Sequence, residues 1–176
     1  SIGNGAFSFC PNLGMVWMEA GVENIGPGAF SDCPALTDLN LDPSNPHYQV
    51  VEGILFSKDL TRLLRFDPVI TGHYTVPVSV NTIDYRAFAK SRIESVTIPE
   101  GISELNAATF YQCTSLVSVD LPQSLTRIGV SEFGKCTKLA SITIPENVTS
   151  IGRWAFSECR SLESIVIPEN VTTVDD

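Results

Sequence analysis

The chain has 176 residues, 43% apolar and 18% charged, and carries a net charge of −9. That apolar share is enough to build a folded core, which excludes a disordered chain. The acidic balance, with no Lys/Arg cluster to reverse it locally, excludes nucleic acid as a natural partner, and no apolar run approaches the roughly 18 residues that would cross a bilayer.

The chain opens Ser1-Ile2-Gly3-Asn4-Gly5-Ala6-Phe7, with neither an initiator Met nor the basic and apolar segments of a signal peptide. It reads as a piece of something longer. Phe7 is the first member of a register that continues through Phe30, Phe88, Phe110, Phe133 and Phe156, at intervals of 23, 58, 22, 23 and 23 residues. Self-similarity of this kind marks a repeat architecture of about six copies.

Each copy has the same order of parts. Ile-Gly is followed by Ala-Phe-x-x-Cys-x-x-Leu, whose apolar spacing of three predicts an irregular or single-turn arc. Ile-x-Ile-Pro then alternates with period two, which predicts a short strand stopped by a proline that cannot donate to a ladder. Val-Thr-x-Ile-Gly is a second extended piece. One copy cannot bury its own apolar set, so neighbours bury it jointly and each Phe is expected to pack on the Phe of the next coil. The clearest copies run from Ile128 to Thr149 and from Ile151 to Thr172. The fold class expected is an α/β-type repeat solenoid, mostly β, with a short parallel sheet. A parallel β-helix is the other solution with this period; the Phe/Cys arc and the single strong strand per coil favour the leucine-rich arrangement.

The 58-residue interval holds an irregular coil, about 48–82, between regular coils at about 2–47 and 83–173. It is expected to contain a β-hairpin: a strand from Val50 to Ser57, a polar turn at Lys58-Asp59-Leu60-Thr61, and a strand from Arg62 to Phe66. Phe56, Leu64 and Phe66 are expected to pack on the core and Lys58, Arg62 and Arg65 to form a basic side. The insertion keeps phase, so residues 1–176 are read as one solenoid.

Cys10, Cys33, Cys113, Cys136 and Cys159 share one slot in successive coils, with Ser91 in that slot in the remaining copy. Coils sit about 4.8 Å apart, so the thiols are expected as a buried ladder of parallel side chains, a poor approach for a disulfide. A disulfide between adjacent coils is the competing reading. Clustered zinc ligands are absent from the sequence, and no metal or cofactor is expected. His47 and His73 lack sequence-encoded partners for nucleophilic catalysis, so no catalytic residue is assigned and no enzyme is expected.

The pattern Ile-Gly-x-x-Ala-Phe-x-x-Cys-x-x-Leu-x-x-Ile-x-Ile-Pro-x-x-Val-Thr resembles the BspA-like leucine-rich repeats of bacterial cell-surface proteins. The resemblance covers essentially the whole chain, with departures at Ser91, Leu105-Asn106, Thr109 and Glu132. It implies a curved right-handed solenoid, a cell-surface or secreted location, and adhesion to host or matrix proteins; a protein or glycan ligand is the partner expected.

Residues two and four places before each proline slot should face outward on the concave sheet: Met15 and Trp17, Asp38 and Asn40, His73 and Thr75, Ser95 and Thr97, Ser118 and Asp120, Ser141 and Thr143, Ser164 and Val166. The ligand-binding residues expected are Trp17, Asp38, Asn40, His73, Thr75, Ser95, Thr97, Ser118 and Asp120, with the most distinctive chemistry between Trp17 and Thr75. The competing reading is a generic solvated strand face in a structural spacer with no ligand of its own. Trp154, in a slot held elsewhere by Gly5, Gly28 or Arg86, is expected on the convex side as end packing.

Overall fold

The structure, a computed structural model, describes residues 1–175. It is a mostly-β solenoid of about 7 turns. In chain order the strands are β1 (Met15–Met18), β2 (Asp38–Leu41), β3 (Tyr48–Val51), β4 (Ile54–Ser57), β5 (Arg62–Arg65), β6 (Gly72–Thr75), β7 (Thr82–Ile83), β8 (Ile93–Thr97), β9 (Ser118–Asp120), β10 (Arg127–Ile128), β11 (Ser150–Ile151) and β12 (Thr173–Val174). No helix occurs among the described residues, so the α/β element of the expectation is corrected to β.

The Ile-x-Ile-Pro strands stack in parallel as two separate ladders, β1-β2 and β6-β8-β9. The Val-Thr-x-Ile-Gly pieces form a second parallel row, β10-β11-β12, extended by a bridge between Glu104 and Arg127, and a separate bridge joins Ile2 and Ile25 in the first two coils. Glycine follows Ile in this row because coils touch there: a β-carbon on Gly152 would lie 2.7 Å from the Val130 amide nitrogen. In the two clearest sequence copies, residues 141–144 and 164–167 form no assigned strand, although Ile142 and Ile144 stay buried and Ser141 and Thr143 exposed, as alternation requires.

The arcs are not helical because their backbone alternates hand. Residues at positive φ recur twice per arc, for instance Arg86 and Lys90, Ser131 and Lys135, Trp154 and Glu158. This alternation points successive amides in different directions. Gly134 and Cys136 close turns onto Ser131 and Phe133, while Ser131, Phe133 and Lys135 donate to the carbonyls of Arg153, Ala155 and Ser157 in the next coil. The arc backbone is therefore satisfied by its neighbours without a helix.

Inside, Phe66, Phe88, Phe110, Phe133 and Phe156 form a continuous row with ring centroids 4.4 to 5.5 Å apart. Phe7 and Phe30 form a separate stacked pair at 5.5 Å. The expected single row is thus corrected: Phe66, not Phe30, precedes Phe88. All five cysteines are free, and all but Cys10 are buried. Each buried thiol also makes a polar contact. Cys33, Cys113, Cys136 and Cys159 donate to the carbonyls of Phe7, Phe88, Phe110 and Phe133 at 3.0 to 3.1 Å. The slot selects a small apolar side chain with a weak donor. Burial pushes the Cys113 thiol up to about 12 and Cys159 up to about 11, which keeps both protonated and inert.

The irregular coil is a three-stranded meander rather than a single hairpin. The run from Val50 to Ser57 folds back at Glu52 and Gly53, both at positive φ (50° and 80°), as a tight two-residue hairpin turn requires. β4 then pairs antiparallel with β5, and β5 joins the regular row by pairing parallel with β7. Both faces of this meander are buried. Ile54, Phe56, Leu63 and Phe66 belong to one apolar cluster with the later coils, and Leu55, Leu64 and Tyr48 to another with the first two coils. The meander is a partition through the core.

Charge crosses this partition. The expected basic side is corrected, because two of its three cations turn inward. Arg65 is buried and donates from Nη2 to the Leu36 carbonyl at 2.6 Å; burial lowers its pKa to about 10. Arg62 grips the buried Asp84 with two bonds of 2.6 and 2.7 Å. Asp32, from the second coil, reaches Arg86 Nε at 2.6 Å and Lys90 Nζ at 2.8 Å in the fourth. These Asp32 contacts are close ion pairs without aligned hydrogen-bond geometry.

Candidate functional site

Period-two alternation places the outward side chains of the strands in two ladders, with the pairing expected from the proline register. Met15 lies beside Asp38 and Trp17 beside Asn40. His73 lies beside Ser95 and Thr75 beside Thr97; Ser95 in turn pairs with Ser118 and Thr97 with Asp120.

The two ladders differ. In the longer one the polar groups engage each other: His73 Nδ1 and Nε2 lie 2.9 Å from Ser95 Oγ and 3.1 Å from Thr75 Oγ1, and Thr97 donates to Asp120 at 3.0 Å. In the shorter one Trp17 is 55% exposed and Met15 63%. The Trp17 indole donates to Glu19 at 3.1 Å, and the Asn40 amide donates to Asp38.

The nine expected residues are therefore divided between two ladders, with β3 and the rest of the meander entering between β2 and β6. Where β2 meets the meander, a cleft of about 520 Å³ opens. Asp38 and Asn40 line one wall and Gln49, Glu52 and Lys58 the other, with Asp42 alongside. Three of these groups are carboxylates, so the cleft is acidic. Asp42 is held below the usual carboxylate range by hydrogen bonds from Ser44.

The cleft is positioned by Asn45, which is fully buried. Its amide donates to the carbonyls of Ala20 and Val22 at 3.1 and 2.9 Å, and its oxygen accepts from the amides of His47 and Tyr48, both at 2.9 Å. The Tyr48 hydroxyl accepts from the Ile25 amide at 2.8 Å. The turn after β2 is thereby tied to the coil before it and the meander after it. The meander wall and Asn45 were missed from sequence. An Asn between Ser44 and Pro46 reads as ordinary turn chemistry, and only its complete burial distinguishes it.

Comparison with known proteins bears on the whole chain. A sequence profile described as the BspA type Leucine rich repeat region matches in six copies over residues 1–58 and 70–176; the gap falls within the meander and the turn after it. A leucine rich cell surface protein from Faecalibacterium prausnitzii A2-165 superposes with a TM-score of 0.89 at 26% identity, over 98% of this chain and 50% of that one. The pneumococcal vaccine antigen PcpA has the same fold, with a TM-score of 0.76 at 21% identity over 98% and 53% of the two chains. A leucine-rich repeat protein from Bacteroides ovatus ATCC 8483 gives 0.66 at 26% identity, over 99% and 43%. The chain spans about half the length of these proteins. No curated protein matches it.

Proposed function

The chain belongs to the BspA-type leucine-rich repeat family, and we propose that it is a non-catalytic cell-surface or secreted adhesion module that binds a protein ligand on its outward strand face. The family and its fold are generally non-catalytic. Surface location is supported by the relative from Faecalibacterium prausnitzii, described as a cell surface protein. The strand face is read as the inner, concave side of one continuous right-handed solenoid, as the repeat type implies.

The observation that carries the reading is the acidic cleft of about 520 Å³ at the break between the ladders, with an exposed Trp and Met on its approach. Exposed aromatic anchors beside exposed polar groups are the usual makings of a protein interface. Asp38, Asp42 and Glu52 suit a basic segment of the ligand. Trp17, Asp38 and Asn40 form the centre. His73, Thr75, Ser95, Thr97, Ser118 and Asp120, already bonded among themselves, are its polar continuation.

The test is capture of matrix proteins by the immobilised chain, read by biolayer interferometry. Trp17→Ala and Asp38→Asn should weaken capture while leaving the melting temperature in place. If every strand-face substitution left capture unaltered, the segment would be a structural spacer with a solvated face.

A further inference from the structure

The arcs present a second surface of opposite charge. Four aromatic rings from different coils, Phe9, Tyr85, Tyr111 and Trp154, line a trough of about 350 Å³ floored by small residues such as Ala107 and Ser131. A smaller hollow of about 190 Å³ adjoins it between Tyr111, Lys135 and Trp154. Phe9 is 64% exposed and Trp154 60%. Both also hold positive φ, 58° and 57°, where an L side chain is strained. In the slot of Trp154, the first two coils carry Gly5 and Gly28 at the same backbone angle. Neither burial nor backbone preference accounts for these two rings.

Cations gather on the same side. The Arg86 guanidinium lies 4.8, 5.4 and 5.7 Å from the ring centres of Tyr111, Phe9 and Tyr85. Lys90 lies 5.6 Å from Phe9, Lys135 5.8 Å from Tyr111, and Arg153 5.2 Å from Trp154. Arg86, Lys90 and Lys135 stand here against the carboxylates of Asp32 and Glu158, on a chain whose net charge is −9. With three cations against two carboxylates, the trough is locally basic on an acidic molecule.

Its backbone has little to offer a peptide strand. The amides of Phe88, Lys90, Ala108, Phe110, Gln112, Ser131 and Lys135 all donate to the next coil, so strand addition lacks its donors. Open aromatic faces and hydroxyls remain. The electron-rich face of an aromatic ring attracts the weakly positive C–H face of a sugar, and cations beside it meet carboxylate or sulfate groups.

We infer that this aromatic, basic trough on the arcs is a second binding site, separate from the strand face, for an anionic saccharide. Tyr111 and Trp154 stack on sugar rings, and Lys135 meets the acidic substituents.

The test is microscale thermophoresis of the full chain with a panel of uronate-, sialate- and sulfate-bearing oligosaccharides, with neutral oligosaccharides and polyglutamate as controls. At least one acidic saccharide should bind, and added salt should weaken it. Trp154→Ala and Tyr111→Ala should each lower affinity roughly tenfold, Trp154→Phe should retain most of it, and Val78→Ser, at an exposed position outside both faces, should leave saccharide affinity unchanged. Circular dichroism should show Trp154→Ala folded and no less heat-stable than the parent. Binding by no member of the acidic panel would overturn the inference. So would equal affinity for polyglutamate with no loss in Trp154→Ala, which would make the trough a charge patch for acidic peptides.

Discussion

In coils four to seven, Phe88, Phe110, Phe133 and Phe156 run on as one stack, and Cys113, Cys136 and Cys159 each donate to the Phe carbonyl one coil back. In the first two coils Cys33 makes the matching bond to the Phe7 carbonyl, but the stack holds only Phe7 and Phe30, and Phe7 is 41% exposed. The later coils rest on an apolar row that each new turn extends. The early coils are joined to them through a meander buried on both faces and through charge: Arg65 on the Leu36 carbonyl, and Asp32 on Arg86 and Lys90. The same repeat therefore makes one half whose neighbours are interchangeable and another whose attachment combines the meander's packing with a few specific polar contacts. The cleft proposed for the ligand lies at that join.

The comparison breaks most sharply at the stack. Phe110→Ala should cost about 3–5 kcal/mol in denaturant unfolding, since the ring is fully buried between two others. Phe7→Ala, at the exposed end, should cost under about 1 kcal/mol. Equal costs would mean that the two halves share one kind of core. Next comes the charged join. Asp32→Ala leaves Arg86 and Lys90 without their counter-charge and should cost about 2–3 kcal/mol, below the figure for a fully buried pair because Lys90 is partly exposed.

Glu132 sharpens the contrast from within the stable half. It occupies the slot of Ala29, Ala87 and Ala155 and is fully buried; contact with Thr109 only partly offsets the burial, which pushes its pKa up to about 8 from 4.5. The folded chain therefore keeps this proton in a range where the unfolded chain releases it. Glu132 is stabilised below pH 4.5, and that contribution is lost as pH rises to about 8. The neighbouring Cys113 and Cys136 thiols are themselves raised by burial and stay protonated throughout. Glu132→Ala should flatten the profile and gain about 1–2 kcal/mol near pH 8, read from melting curves across pH. A parent profile already flat between pH 5 and 8 would mean that Glu132 finds water or a partner. The smallest effect belongs to the ligand face: Trp17→Ala should change stability by less than about 0.5 kcal/mol, because the ring is mostly in solvent.

How far these features can be read from sequence depends on the range of the forces behind them. The outward pairs of the strand face, from Met15 beside Asp38 to Thr97 beside Asp120, follow from alternation and the proline stop, both local and periodic. The buried cysteine slot is legible for the same reason. Phe66 lacks the Ala-Phe-x-x-Cys context, yet it stands 22 residues before Phe88, the same spacing as Phe88 to Phe110, and that interval was the available signal. The turn at Glu52 and Gly53 was hidden inside an apolar run that alternates well enough to pass for one strand. The left-handed arc positions were not legible, because Trp154, Arg86 and Phe9 are side chains that ordinarily avoid positive φ. Nor were the Asp32 attachment, which joins coils across the insertion, and the Arg65 attachment, which ties the insertion to the second coil; neither leaves a periodic trace.

Hydrogen exchange followed by mass spectrometry, on the parent and on Asp32→Ala, tests most directly whether the meander divides the core. The partition predicts that the variant loses protection in residues 16–41 and around Arg86, while amides in the Phe110 and Phe133 coils exchange as in the parent. An equal loss of protection through to β11 would contradict it, and would mean that the chain unfolds as one cooperative core.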